Sequence, residues 1–270
     1  MGVMQKTSII VPCYNEADRL VGEEFVRATE RNGQLHFLFV DDGSTDGTSE
    51  ILAAVCRSNP SQMSWISLDK NSGKAEAVRK GILTVLESDP ENIGYWDADL
   101  ATPLGAIPKF CEILENREIL LVLGSRVRLL GRRIKRKASR HYLGRIFATL
   151  ASLITGLPIY DTQCGAKVFR NRDELRIVFG KPFLVNWTFD VEILARLLMI
   201  ERFEGSPRLV RSTVEYPLEE WTDVPGSKMG FYDFLSGITE LGKITCYLHA
   251  PGARNRYFRL KNQMSGGSAR

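Results

Sequence analysis

The first 125 residues alternate short β-rich runs with stretches of helical spacing, and this alternation restricts the fold more than any other feature. The runs Ser8 to Val11, Leu35 to Val40, Trp65 to Leu68, Ile93 to Trp96 and Leu120 to Leu123 read as strands. Between them, Asp18 to Thr29, Thr48 to Arg57, Ala75 to Leu86 and Leu104 to Leu114 read as helices, with Thr45 or Asp46 able to cap the second and Pro103 suited to the start of the fourth. Strands separated by crossover helices pair in parallel and need cover on both sides. The expected fold is therefore α/β, with a mostly parallel central sheet and helices on both faces. Ligands of such sheets bind beyond the carboxyl ends of the strands.

That rule collects the polar residues of the first half. Pro12-Cys13-Tyr14-Asn15-Glu16 follows the first strand, Asp41-Asp42-Gly43-Ser44 the second, Asn71-Ser72-Gly73-Lys74 the third and Asp97-Ala98-Asp99 the fourth. Four polar strand ends on one edge predict a site there. Were the fourth strand to continue through them, Asp97 and Asp99 would face the same way and repel unless a cation lay between. Mg²⁺ or Mn²⁺ suits that place, because such ions take carboxylate oxygens, keep several waters and share the rest of their shell with a substrate phosphate. Taken alone, an Asp-x-Asp at a strand end also describes a solvated turn. Gly73-Lys74 is not a P-loop, which would need Gly at 68 and Ser or Thr at 75, where Leu68 and Ala75 stand.

Charge is distributed unevenly. The chain of 270 residues carries a net +4, yet nine Lys or Arg and no acid lie between Glu118 and Asp161, so the remainder is acidic. One strongly basic segment predicts contact with an anionic ligand or surface at one place. An uncharged run, Ile146 to Tyr160, follows it; at 15 residues, broken by Gly156 and Pro158, it is too short to span a bilayer. Basic half and apolar half together predict an amphipathic membrane-surface segment over 126–160. Beyond it, a helical pattern occupies Asp190 to Arg202, a strand Leu209 to Tyr216, a turn Pro225-Gly226 and a last helix begins near Tyr232, with residues 262–270 expected to be a disordered tail. Five scattered cysteines without C-x-x-C spacing, and no signal-like start, predict a reduced, cytoplasmic chain without a zinc site.

The quoted motifs together resemble those of a known family. VPCYNEADRL, FVDDGSTDGT, NSGKAEAVRKGI and YWDADLATP, in this order, resemble the family 2 glycosyltransferases, nucleotide-sugar enzymes of the GT-A fold. GSR at Gly124 to Arg126, DTQCGAKVF at Asp161 to Phe169, WTFDVEIL at Trp187 to Leu194 and GSK at Gly226 to Lys228 are similar to the dolichyl-phosphate glucosyl- and mannosyltransferase branch. DTQCG followed by Lys167 points to the glucosyl members. The chain departs from the family pattern at Ala166, usually Phe, and at Ala101, where mannosyl members place a polar residue.

The resemblance implies one domain over 1–261, with a nucleotide-sugar half (7–125), the interface segment (126–160) and an acceptor half (161–261). It implies inverting, metal-dependent transfer of a hexose, glucose from UDP-glucose before mannose from GDP-mannose, to a polyprenyl or dolichyl phosphate at the cytoplasmic face of a membrane. Asp99 is then the firmer metal ligand, with Asp97 beside it or nearer the sugar. Pro12, Tyr14, Glu16, Asp41, Asp42, Lys74, Ala98 and Lys228 join them around the nucleotide sugar. A lipid monophosphate is already an anion and needs charge neutralisation rather than a general base. Arg126, Arg140 and Lys167 are the candidates for holding it. Asp161 is expected to organise the acceptor loop and to serve as the fallback base, with Asp190 and Glu192 the other carboxylates available. Family members often carry transmembrane helices outside the catalytic domain; their absence from this sequence suggests a small membrane-protein partner.

Two other classes fit less well. A haloacid-dehalogenase-type phosphatase would put Thr or Val where Ala101 stands and its motif on the first strand. A nucleic-acid-binding module would interleave aromatics with the basic residues, and only Tyr142 and Phe147 are near. No nucleic-acid partner is expected.

Overall fold

A computed structural model describes residues 4–135, 138–205, 208–224 and 231–265, giving the backbone alone for 138–141, 231–234, 260 and 262–265. Its centre is a seven-stranded sheet built from β1 (Thr7–Cys13), β2 (Leu35–Asp41), β3 (Met63–Ser67), β4 (Asn92–Trp96), β5 (Leu121–Ser125), β7 (Ala166–Arg170) and β8 (Thr213–Pro217), in the order β3-β2-β1-β4-β7-β5-β8. The pairs β1–β2, β1–β4, β2–β3 and β5–β8 are parallel; β7 lies antiparallel between β4 and β5. A separate two-stranded sheet joins β6 (Arg133–Lys135) to β9 (Glu220–Thr222).

The apolar runs are continuous because both faces of the sheet are covered. Ile9, Val11, Phe37 and Phe39 face one core, with Phe25 of α1 (Gly22–Arg31), Leu52 of α2 (Thr48–Ser58) and Phe110 of α4 (Ile107–Leu114). Ile10, Leu38, Val40 and Tyr95 face the other. That layer contains α3 (Lys74–Leu86), α5 (Ala138–Thr155), α6 (Asp173–Phe179), α7 (Phe189–Glu204) and α9 (Phe231–His249). In the first core Phe25 packs edge-on to Phe37 and Phe39, with ring centres 5.1 and 5.0 Å apart, a favoured aromatic geometry.

Several expectations need correction. The helix expected from Asp18 begins at Gly22, because the backbone N–H groups of Arg19 and Leu20 turn back to the Glu16 carbonyl at 2.9 and 2.8 Å. The strand expected from Leu209 is first a helical turn, α8 (Leu209–Ser212), whose opening N–H donates to Glu201 at 2.8 Å; the strand starts at Thr213. The helix near Tyr232 is not the last. After it α10 (Ala253–Ser265) packs on α6, α7 and α9, with Tyr257 fully buried and Lys261 paired to Glu204. The backbone is thus helical to Ser265, where a disordered tail was expected from 262; the rest of that tail, 266–270, lies outside the described residues. The expected turn at Pro225-Gly226 lies outside the described residues. Over 126–160, the structure shows β6 and α5, whose Phe147, Ala148 and Ala151 are buried core residues. Among the described residues no helix is long and apolar enough to cross a membrane.

Candidate functional site

The carboxyl ends of β1, β2 and β4 open into a crevice of about 360 Å³. Pro12, Tyr14 and Glu16 enter from β1, Asp42 from beyond β2, Lys74 from the start of α3, and Asp97, Ala98 and Asp99 from beyond β4. The structure thus brings most of the expected donor-site residues together. A second cavity of about 420 Å³, around Ser8, His36 and Ser64, lies at the opposite, amino end of the strands.

The strand does not run through the acidic pair. β4 stops at Trp96, the Asp97 N–H donates to the Gly165 carbonyl at 3.1 Å, and Leu100 takes a left-handed backbone with φ 54°. Asp97 and Asp99 therefore meet the crevice from a turn. The Lys74 amine lies 2.5 Å from Oδ1 of Asp97. Asp99 accepts the Ala101 N–H at 3.0 Å. Burial pushes its carboxyl up from the usual range and the Asp97 charge pushes it further, against the Ala101 bond and the pull of Lys74 and Arg19. Glu16, paired with Arg19 at 2.6 Å, is likewise raised by burial and by Asp99 and Asp97. Arg19 itself lines the crevice and escaped the sequence reading; its position three residues after Glu16, the spacing of an ion pair on one helical turn, was the available signal.

The two adjacent acids at the end of β2 hold loops. Asp42 accepts the backbone N–H groups of Ser72 and Gly73 at 2.8 and 2.7 Å, and so fixes the loop that delivers Lys74. Its carboxyl is raised by burial in spite of those bonds. Asp41 does not reach the crevice: it is buried, accepts the Ser44 N–H at 3.0 Å and the Ser49 hydroxyl, and shapes the turn after β2.

On the acceptor side the sequence reading changes most. Asp161 takes Nε and Nη2 of Arg126 at 2.6 and 2.8 Å, and the backbone N–H groups of Arg126 and Gln163 as well. It organises its loop as expected, but the pairing commits both Arg126 and the fallback base to each other. Although burial alone would lower it, the guanidinium pKa is raised by this carboxylate. Lys167 is no acceptor ligand in this geometry. It is 1% exposed, and its amine donates to the Cys164 carbonyl at 2.7 Å and to Asp190, which also receives the Tyr95 hydroxyl. Glu192 is equally committed, to Arg196 and to the N–H groups of Leu184 and Val185. The side chain of Arg140 and all of Lys228 lie outside the described residues. The basic segment is partly neutralised by acids distant in sequence, Arg132 by Glu219 at 2.9 Å and Arg133 by Glu220.

Gly165 is the other residue whose role was not foreseen, though it stands inside a quoted motif. A Cβ at this position would coincide with the Asp97 carboxylate. The glycine lets the loop before β7 close on the acidic turn.

Among the described residues no cluster of three or more acids, histidines or cysteines could hold a metal alone. Asp97 and Asp99 do fit a hard divalent cation that completes its shell from a diphosphate and water: both are carboxylates lining the crevice, and among the described residues Asp99 has the Ala101 N–H but no salt bridge.

The pattern of glycosyl transferase family 2 matches residues 8–175. The chain is 31% identical over 240 residues to the dolichyl-phosphate beta-glucosyltransferase of Saccharomyces cerevisiae, covering 82% of this chain and 68% of that protein. It is also 31% identical over 240 residues to that of Homo sapiens, covering 83% and 70%. The fold is similar to glucosyl-3-phosphoglycerate synthase of Mycobacterium tuberculosis bound to UDP, with TM-score 0.62, 15% identity and coverage of 92% of this chain and 82% of that one. It also resembles a mannosyltransferase of Pyrobaculum calidifontis in complex with GDP-Man and Mn²⁺, with TM-score 0.58, 16% identity and coverage of 99% and 76%. With the parallel sheet, the crevice at its carboxyl edge and the acidic turn that lines it, these likenesses establish that the chain belongs to glycosyl transferase family 2 and is a glycosyltransferase.

Proposed function

We propose that the protein transfers glucose from UDP-glucose to a dolichyl or related polyprenyl phosphate, with inversion at the anomeric carbon and with Mg²⁺ or Mn²⁺ at the acidic turn. The observation that carries this reading is the crevice itself, where Asp97, Asp99 and Lys74 converge on one wall while the chain is about 30% identical, over most of its length, to curated dolichyl-phosphate beta-glucosyltransferases.

Pro12, Tyr14 and Glu16 offer the surface for base and ribose, and Asp42 holds the loop that closes beneath them. Asp97 and Asp99 would hold the cation, which when bound stabilises charge on the departing diphosphate. The acceptor needs no deprotonation, so a site whose Asp161 is paired to Arg126 is compatible with direct attack by a phosphate oxygen. Arg140, on α5, keeps its proposed role toward that phosphate.

An interfacial role for 126–160 is part of the same proposal. Leu130 is wholly exposed, and Tyr142, Ile146 and Leu153 lie exposed along α5 at spacings that share one face. They support a peripheral position at a membrane surface, where a lipid phosphate is available; the cytoplasmic side is itself part of the proposal.

Isothermal titration calorimetry with a panel of UDP- and GDP-sugars, with and without Mn²⁺, tests the donor assignment. UDP-glucose should bind in the presence of the cation. Tight binding of GDP-mannose with none of UDP-glucose would replace the glucosyl reading by a mannosyl one.

A further inference from the structure

We infer that Lys74 is an exchangeable internal cation of the donor site: it neutralises Asp97 in the ligand-free protein and passes to the donor's diphosphate when a divalent cation takes Asp97. The inference rests on the metal-assisted reading of the donor site and adds a step in which one of the chain's own residues competes with the metal.

The first support is a charge count. Four acids, Glu16, Asp42, Asp97 and Asp99, line the crevice, Asp42 already holding two backbone N–H groups, while the chain's own cations there are Arg19, paired to Glu16, and Lys74, paired to Asp97. Asp99 has the Ala101 N–H and only the more distant fields of Lys74 and Arg19. A cation that enters to satisfy Asp99 must share Asp97, and two positive charges on one carboxylate repel. Lys74 is the one able to leave.

The second support is the manner in which Lys74 is held. The buried pair Lys167–Asp190 has side chains only 1% and 5% exposed, whereas Lys74 and Asp97 are 40% and 35% exposed on the crevice wall. Moving the Lys74 amine gives up, besides Asp97, a contact with the ring of buried Phe189, whose centre lies 6.0 Å away. The Lys74 backbone is fixed, because Asp42 pins the Gly73 N–H and Gly73 adopts φ 91° to open α3. Only the flexible four-carbon stem has to move. From the first residue of a 13-residue helix, the amine stays beside the positive end of the helix dipole, where the phosphates of a nucleotide are favoured.

Metal and nucleotide binding are therefore coupled through one side chain. Electron paramagnetic resonance of free Mn²⁺ measures the coupling without turnover, in the wild type, Lys74→Met and Lys74→Arg, each with and without UDP. Without nucleotide, Lys74→Met should bind Mn²⁺ about tenfold more tightly than wild type, and at saturating Mn²⁺ it should bind UDP about tenfold more weakly. Lys74→Arg, which keeps a cation, should stay near wild type in Mn²⁺ affinity. Lys74→Gln repeats the charge removal with a polar stem should the Met variant lose its fold by circular dichroism. Unchanged or weaker Mn²⁺ binding by the charge-removed variants, with normal uptake by wild type, overturns the exchange alone. No Mn²⁺ uptake by wild type with or without UDP overturns the metal reading, and the exchange with it.

Discussion

Gly165 has no side chain, and Asp97 lies where one would stand. This close approach links the acceptor loop to the donor turn, so Gly165→Ala should force the carboxylate off Lys74 and out of its place in the crevice. A displacement of about an ångström costs on the order of 10²-fold in rate; steady-state kinetics should show that loss in kcat with little change in melting temperature, and an unimpaired kcat would remove Gly165 from the mechanism. Lys167 behaves oppositely. Its amine closes a buried network with Asp190, Tyr95 and the Cys164 carbonyl. Lys167→Met leaves the Asp190 carboxylate in the core without its cation, a loss of about 3–5 kcal/mol for a broken buried pair. Urea unfolding should record it, and adding Asp190→Asn should restore part of it. Should Lys167→Met keep full stability and lose only transfer, the acceptor-phosphate role expected from sequence stands after all.

At the scale of elements, α5 has two unlike faces. Phe147, Ala148 and Ala151 anchor it to the core, Phe147 against Trp187 with ring centres 5.3 Å apart, while Tyr142, Ile146 and Leu153 face outward. The neighbouring Arg132 and Arg133 are bound to Glu219 and Glu220, which ties them to the β6–β9 sheet and reduces the charge left to attract lipid headgroups. The apolar face then becomes the better test. Replacing exposed Leu130 and Leu153 by Ser should leave the fold intact and release the protein from anionic liposomes in flotation; undiminished flotation would show that this face does not seat the protein on lipid. The charge count along the sequence suggested a basic segment because neutralising acids nearly ninety residues away, such as Glu220 opposite Arg133, are invisible until the strands pair.

Across the whole molecule, the parallel half of the sheet and its crevice were legible because the strands are β-rich, largely apolar runs that end in polar residues, and the topology brings those ends together. Asp97, Asp99, Lys74, Glu16 and Tyr14 are found where that reasoning put them. The second half was harder to read. β7 enters antiparallel between β4 and β5 from a short run, Ala166–Arg170, with a lysine inside it, and no local pattern shows that Asp190 will neutralise that lysine from α7. Asp41 and Asp42 are adjacent and alike in sequence; the end of the strand divides them, one turned to the Ser44 and Ser49 loop and the other to the Lys74 loop. What the assembled molecule does is tested most directly by a single assay: incubation of the pure protein with UDP-glucose, dolichyl phosphate and Mn²⁺, followed by NMR of the extracted lipid. The expected product is glucosyl phosphoryl dolichol with a β anomeric linkage, formed by wild type and absent with Asp99→Asn; no glucolipid from the wild-type protein, or an α linkage, would contradict inverting transfer at this crevice.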